Sequence, residues 1–203
     1  TAVKEIANYI EDHPLAEATN KYAVVNYLQA CLDKTNEEIF EKARRYEENK
    51  GMATTAAIVY IKGGKAYIAN VGDSRVYLYR NGELVQLTED HTYVNTLLNA
   101  GIISQEQAAV DERKNVITKA LGAEDTVEPD FFQLEIVKND ILILCTDGLY
   151  DEVDERSMKT ILEKDISMSD VCAEMVDAAN KNGGHDNITI ISIKVTEEDV
   201  DEQ

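Results

Sequence analysis

Apolar residues at three- and four-residue spacings open the chain. Val3, Ile6, Ala7 and Ile10 share one face, which predicts a helix over residues 2–12. Beyond the His13-Pro14 break, Val24, Leu28, Cys31 and Leu32 form a second helical stripe. Thr35 with Glu38 has the form of a capping box and predicts a further helix through Ile39, Ala43 and Tyr46, ending near Asn49-Lys50-Gly51. From Gly51 the period changes to that of strands. Met52 to Ile61, Ala66 to Val71, Val76 to Arg80 and Glu83 to Leu87 read as four strands of an antiparallel meander. Gly63-Gly64 and Asn81-Gly82 are its hairpin turns, and the polar tetrapeptide Gly72-Asp73-Ser74-Arg75 interrupts it.

Short helical pieces return over residues 92–122, one around Val94 to Leu98 and one capped by Ser104 with Gln107. Few large apolar residues anchor this stretch, which marks it as a mobile flap. Phe131 to Val137 and Ile141 to Cys145 follow as strands. The second is five apolar residues without alternation, the pattern of a strand buried on both faces. Asp147-Gly148 then reads as a sharp turn. Two helices come next, the first capped by Asp154 and the second running from near Ser169 to Gly183-Gly184, before a last strand from Ile188 to Val195. Residues 196–203 form an acidic tail expected to fray. Hairpin signals demand antiparallel neighbours, so the fold class predicted is α+β: a sandwich of two antiparallel sheets with helices on both outer faces, in a single domain over residues 1–195.

Composition narrows the function. With 39 acidic against 20 basic residues, the formal net charge of −19 argues against a protein that grips nucleic acid or anionic lipid. Cys31, Cys145 and Cys172 are widely spaced, without metal or disulfide spacing, and are expected to be reduced and buried. No run is long enough to span a bilayer and no signal peptide is visible, which favours a soluble, cytoplasmic location.

Three aspartates stand at breaks between core elements: Asp73 between two strands, Asp147 at the exit of the buried strand, and Asp186 before the last strand. Gly72, Gly148 and Gly184 lie close to them in sequence. Brought together, they would make an oxygen-only cluster suited to Mg²⁺ or Mn²⁺ rather than zinc. Such ions hold a phosphate, neutralise it and activate a water against phosphorus. Neither a Ser-His or Cys-His nucleophile pair nor a Walker-type loop competes with that chemistry.

Taken in order, Gly51-Met52-Ala53-Thr54-Thr55, Val71-Gly72-Asp73-Ser74-Arg75, Asp90-His91-Thr92, Val116 to Gly122, Cys145-Thr146-Asp147-Gly148-Leu149 and Gly183-Gly184-His185-Asp186-Asn187-Ile188-Thr189 resemble the later motifs of the type 2C, or PPM, metal-dependent protein serine/threonine phosphatases, most closely the compact bacterial members. The resemblance implies a four-layer α-β-β-α sandwich with a metal centre between the sheets. It implies that Asp147 and Asp186 are catalytic ligands of two core Mn²⁺ or Mg²⁺ ions, and that Asp73 with Asp147 holds a third, weaker one. The flap is then the segment from about residue 95 to 114. Phosphoserine and phosphothreonine proteins are the implied substrates, a cognate Ser/Thr kinase among them, and the protein would act as a monomer. The family's opening motif, Asp-Gly-Met-Gly-Gly-His with its bridging aspartate, would precede the first helix, where this sequence begins. A truncated chain, a natural pseudophosphatase and a partner chain that completes the site all remain open. Truncation is preferred, because the missing piece would also supply strands whose loss exposes core edges.

His91 and His185 are expected to serve as hydrogen-bonding residues rather than ligands. Arg75 is a phosphate binder or half of an ion pair. Glu89-Asp90 is a supporting pair or a turn, and no substrate-binding residue is assigned. Two functions stay open: a phosphatase, or a non-catalytic binding module on the same fold.

Overall fold

The structure is a computed structural model that describes residues 1–15 and 20–201. Helix α1 spans Ala2–Asp12 and α2 spans Lys21–Arg45. The second is continuous, so no helix starts at Thr35. That residue is buried mid-helix, and its hydroxyl donates to the Cys31 carbonyl at 2.8 Å, the bond a helix-interior threonine makes in place of capping. The buried stripe of Val24, Leu28, Cys31, Leu32, Thr35 and Ile39 keeps helical phase through the supposed boundary, and extending a formed helix costs far less than nucleating another. Capping falls to Asn20, whose side chain accepts from the Ala23 N–H at 3.0 Å.

Among the described residues seven strands follow: β1 Ala56–Lys62, β2 Lys65–Val71, β3 Arg75–Arg80, β4 Glu83–Gln86, β5 Asp130–Glu135, β6 Ile141–Cys145 and β7 Ile190–Lys194. Helices α3 (Tyr93–Asn99) and α4 (Gln105–Val110) lie between β4 and β5. Helices α5 (Asp147–Tyr150), α6 (Glu155–Leu162) and α7 (Met168–Asn182) lie between β6 and β7, and α8 (Glu197–Asp201) comes last. The strands form two antiparallel sheets, ordered β1-β2-β5 and β4-β3-β6-β7. Both predicted hairpin turns form, with φ of 57° and 67° at Gly63-Gly64 and of 52° and 78° at Asn81-Gly82, as a two-residue turn of this hand requires. The predicted meander does not. Strands β2 and β3 belong to different sheets, so Gly72-Asp73-Ser74 is a passage from one sheet to the other.

Contacts divide the chain into two compact units. The first comprises Thr1–Ile58, Ala69–Gly72 and Asp90–Phe131. In it α1 lies along α2, with Glu5 and Lys42 3.5 Å apart. Asn36, 1% exposed, accepts from the Gly122 N–H at 2.7 Å and donates to the carbonyls of Glu124 and Asp125 at 3.1 and 3.2 Å. Leu121 and Thr54 exchange backbone bonds of 3.0 and 2.8 Å. The predicted Ser104/Gln107 capping box forms at α4, while Ile102 and Val110 in the same stretch are exposed.

The second unit comprises Val59–Ile68, Asp73–Glu89 and Phe132–Gln203. Strand β6 runs through its middle with every residue buried. Tyr77, Ile141, Ile143 and Cys145 face Leu149, Met158, Val171 and Met175 from α5, α6 and α7. Leu78 and Leu142, on the opposite face, pack with Ala66, Ile136 and Val195. Each fully buried aliphatic side chain contributes about 1.5–3 kcal/mol. Asp140, 1% exposed, is neutralised by Arg80, whose Nε and Nη2 donate to its two oxygens at 2.8 and 2.6 Å. The tail expected to fray is ordered through α8. Just before it, Thr196 donates its N–H and its hydroxyl to the Asp199 carboxylate, each at 2.7 Å, Val200 joins the second apolar cluster, and Lys138 pairs with Glu197. Residues 202–203 lie outside the described residues. Among the described residues no disulfide joins the cysteines, of which Cys31 and Cys145 are buried and Cys172 half-buried. Among the described residues no helix is long and apolar enough to cross a membrane.

Candidate active site

The apolar run of β6 ends at Thr146, and helix α5 begins on the next residue, Asp147. Gly148 is therefore no sharp turn: it sits in the first turn of α5, outside the left-handed region. Its missing side chain serves a close approach instead, since a Cβ there would lie 2.4 Å from the Asn187 carbonyl oxygen. Thr146 fastens the same loop. Its N–H donates to the Thr189 carbonyl at 3.2 Å, its hydroxyl donates to the Asn187 carbonyl at 3.2 Å, and its oxygen accepts from the Thr189 N–H at 3.1 Å. Residues 186–189 are thus fixed against the end of β6, and Asp186 comes to Asp147.

Asp147 feels the charge of Asp186. Burial pushes Asp147 above the ordinary carboxylate range; the Gly148 N–H opposes this, and the charges of Asp186 and Asp151 reinforce it. Oδ1 of Asp147 accepts from the Gly148 N–H at 2.9 Å, and Oδ1 of Asp186 accepts from the Asn187 N–H at 2.6 Å. Among the described residues no hydrogen bond reaches Oδ2 of either. Asp147 is half-buried and Asp186 exposed. A carboxylate under the charge of a second one, each with an oxygen that accepts no hydrogen bond among the described residues, fits a hard divalent cation, which would relieve the repulsion on Asp147.

Asp73 is buried in the passage between β2 and β3. The preceding residue, Gly72, has φ +102° and is held at both ends: its N–H donates to His91 Nδ1 at 3.0 Å, and its carbonyl accepts from the His91 N–H at 3.1 Å. The Asp73 carbonyl accepts from the Tyr150 hydroxyl at 2.9 Å, which ties it to the last residue of α5. The structure thus brings Asp147 and Asp186 together and joins the backbone of Asp73 to the helix that carries Asp147. Among the described residues no group of three His, Cys, Asp or Glu side chains is placed to hold a metal ion.

Both histidines make the hydrogen bonds expected of them. His91 is buried with Nδ1 on Gly72, and its Nε2 stands 3.2 Å from Asp130 Oδ2, off the line of a hydrogen bond. His185 is exposed and lies 2.7 Å from Glu152. Arg75 donates to the Tyr77 hydroxyl at 2.9 Å and lays its guanidinium 3.5 Å from the centre of the Tyr150 ring. Thr146 and Tyr150 were not singled out by the sequence. The one signal for Tyr150 is its place three residues beyond Asp147, which becomes meaningful only once that stretch is known to be helical.

A family model described as protein phosphatase 2C matches residues 2–97. Over 171 residues the chain is 39% identical to the serine/threonine phosphatase stp of Listeria innocua, covering 84% of this chain and 68% of that protein. Among solved structures, it is similar to the serine/threonine phosphatase of S. agalactiae, with a TM-score of 0.88 and 30% identity over 96% of this chain and 80% of that one. It is likewise similar to the catalytic domain of the serine threonine protein phosphatase PstP in complex with two manganese ions, with a TM-score of 0.81 and 28% identity over 97% of this chain and 81% of that one.

Proposed function

The chain belongs to the protein phosphatase 2C family of metal-dependent serine/threonine phosphatases, and on that premise we propose that Asp147 and Asp186 hold the two core divalent ions of its active site while Asp73, with Asp147, holds a third and weaker one. The observation that carries the reading is that Asp147 lies under the charge of Asp186, with Oδ2 of each accepting no hydrogen bond among the described residues. Oxygen donors alone select Mn²⁺ or Mg²⁺ over zinc. Bound there, such ions supply charge to neutralise a phosphate monoester and to acidify a water.

The chain's own residues set the geometry. Thr146 and the close approach at Gly148 orient the loop carrying Asp186, and the helical start at residue 147 aims its carboxylate. The exposed side of Asp186 leaves room for a phosphorylated segment of a protein. The substrates are phosphoserine and phosphothreonine proteins, a cognate Ser/Thr kinase among them, and the protein acts as a cytoplasmic monomer on Mn²⁺ or Mg²⁺. The test is replacement of each aspartate by Ala in the full-length protein. Asp147→Ala and Asp186→Ala are expected to lower turnover of a phosphothreonine peptide on the order of a hundredfold or more and to weaken Mn²⁺ binding in calorimetry. Asp73→Ala is expected to keep the core ions and lose the weak one. Unchanged turnover in Asp186→Ala would show the assignment to be wrong.

A further inference from the structure

We propose that Tyr150 is a positioning residue: by donating its hydroxyl to the Asp73 carbonyl, it sets the Asp73 carboxylate in register with that of Asp147, and so assembles the site for the weak third ion. The inference rests on the assignment of Asp73 and Asp147 as ligands of that ion.

Asp147 and Tyr150 are the first and last residues of α5. Three residues apart, they lie on one side of the helix. The Tyr150 hydroxyl meets the Asp73 carbonyl at 2.9 Å, so whatever fixes Tyr150 fixes the backbone of Asp73, from which its carboxylate springs, relative to the helix that carries Asp147. Tyr150 is fixed on two sides. Its ring packs on the apolar cluster that includes Leu149 and Met175, and the Arg75 guanidinium covers it at 3.5 Å. Arg75 is itself held by the hydroxyl of Tyr77, a fully buried residue. The hydroxyl is therefore a donor of defined position rather than one that swings.

The segment of Asp73 passes from one sheet to the other, and Asp73 lies outside both β2 and β3. A packing role would be met by phenylalanine; the one thing tyrosine adds is the hydroxyl.

The experiment is Tyr150→Phe in the full-length protein, which keeps the ring and its contact with Arg75. Mn²⁺ binding is measured by calorimetry, and turnover of a phosphothreonine peptide is followed against Mn²⁺ concentration. A net hydrogen bond of ordinary strength corresponds to a change of about fivefold to tenfold. Tyr150→Phe is expected to weaken the weak ion by that factor, to leave the core ions bound as in the parent, and to recover turnover at excess Mn²⁺. The double variant Asp73→Ala with Tyr150→Phe should be no worse than Asp73→Ala alone, because the hydroxyl acts through Asp73. Unchanged affinity for every ion, with only the unfolding temperature lowered, would overturn the proposal, and so would full additivity in the double variant. If Asp73→Ala itself left the weak ion untouched, the ligand assignment would fall and this inference with it. Weak-ion loss in Asp73→Ala without any in Tyr150→Phe would refute the inference alone.

Discussion

Replacing Gly148 by Ala tests whether the approach of α5 to the loop at residues 186–187 is what makes the site. An ideal Cβ at this position falls 2.4 Å from the Asn187 carbonyl oxygen, 2.9 Å from its carbonyl carbon and 3.4 Å from the Asp186 carbonyl carbon. An unstrained contact is about 3.5 Å, so the loop must withdraw by about 1 Å. Both nearest atoms are backbone, and the three hydrogen bonds of Thr146 oppose the withdrawal. Overpacking of this kind costs about 1–3 kcal/mol, while Ala in place of Gly inside a helix returns about 1 kcal/mol. The net stability change is thus modest, a loss of about 0–2 kcal/mol. Activity is more sensitive, since a misplacement of about 1 Å at a reacting centre costs about a hundredfold in rate. The assay pairs denaturant unfolding with Mn²⁺-dependent turnover of a phosphothreonine peptide. The expected outcome is a large fall in turnover and in metal affinity with only a small fall in stability. Native turnover with stability raised by about 1 kcal/mol would refute the reasoning.

Burial pushes the Tyr77 phenol up to about 12, against the opposing charge and hydrogen bond of Arg75. The folded state then keeps a proton that the unfolded chain loses near pH 10, so stability is intact below that pH and falls by about 3 kcal/mol as pH rises to about 12; Tyr77→Phe should flatten this limb in unfolding measured across that range. Arg80→Met would strand the buried Asp140 carboxylate and should cost about 3–5 kcal/mol by denaturant unfolding, whereas replacing both partners with apolar residues should cost much less. Asn36→Ala removes three bonds that hold residues 122–125 and should cost about 2–4 kcal/mol by the same measurement.

What the sequence made legible was local. The unalternating run of β6, the Gly63-Gly64 and Asn81-Gly82 turns and the Ser104/Gln107 cap each depend on residues within one element, and each forms as expected. Thr35 misled because a Thr with Glu three residues on occurs inside helices as well as at their starts. Only the unbroken burial of the stripe around it decides which. Sheet membership is nonlocal: nothing in Gly72-Asp73-Ser74 distinguishes a hairpin from a passage between sheets. Gly148 resembles a turn residue in sequence because the carbonyl it admits belongs to Asn187, far along the chain. The acidic tail looked frayed by composition, and its order comes from partners elsewhere, Lys138 and the cluster that Val200 joins. Asp147 and Asp186 were visible as members of motifs. Thr146 and Tyr150, which place them and Asp73, gain their meaning only from the folded arrangement.

The most direct test of a metal-dependent active site built on Asp147 and Asp186 is release of phosphate from a phosphothreonine peptide by the full-length protein, before and after removal of divalent ions with EDTA. Turnover should vanish in EDTA and return when Mn²⁺ or Mg²⁺ is restored in excess, and the Asp186→Ala variant should fail to recover under the same conditions. Undiminished turnover in EDTA would contradict the account.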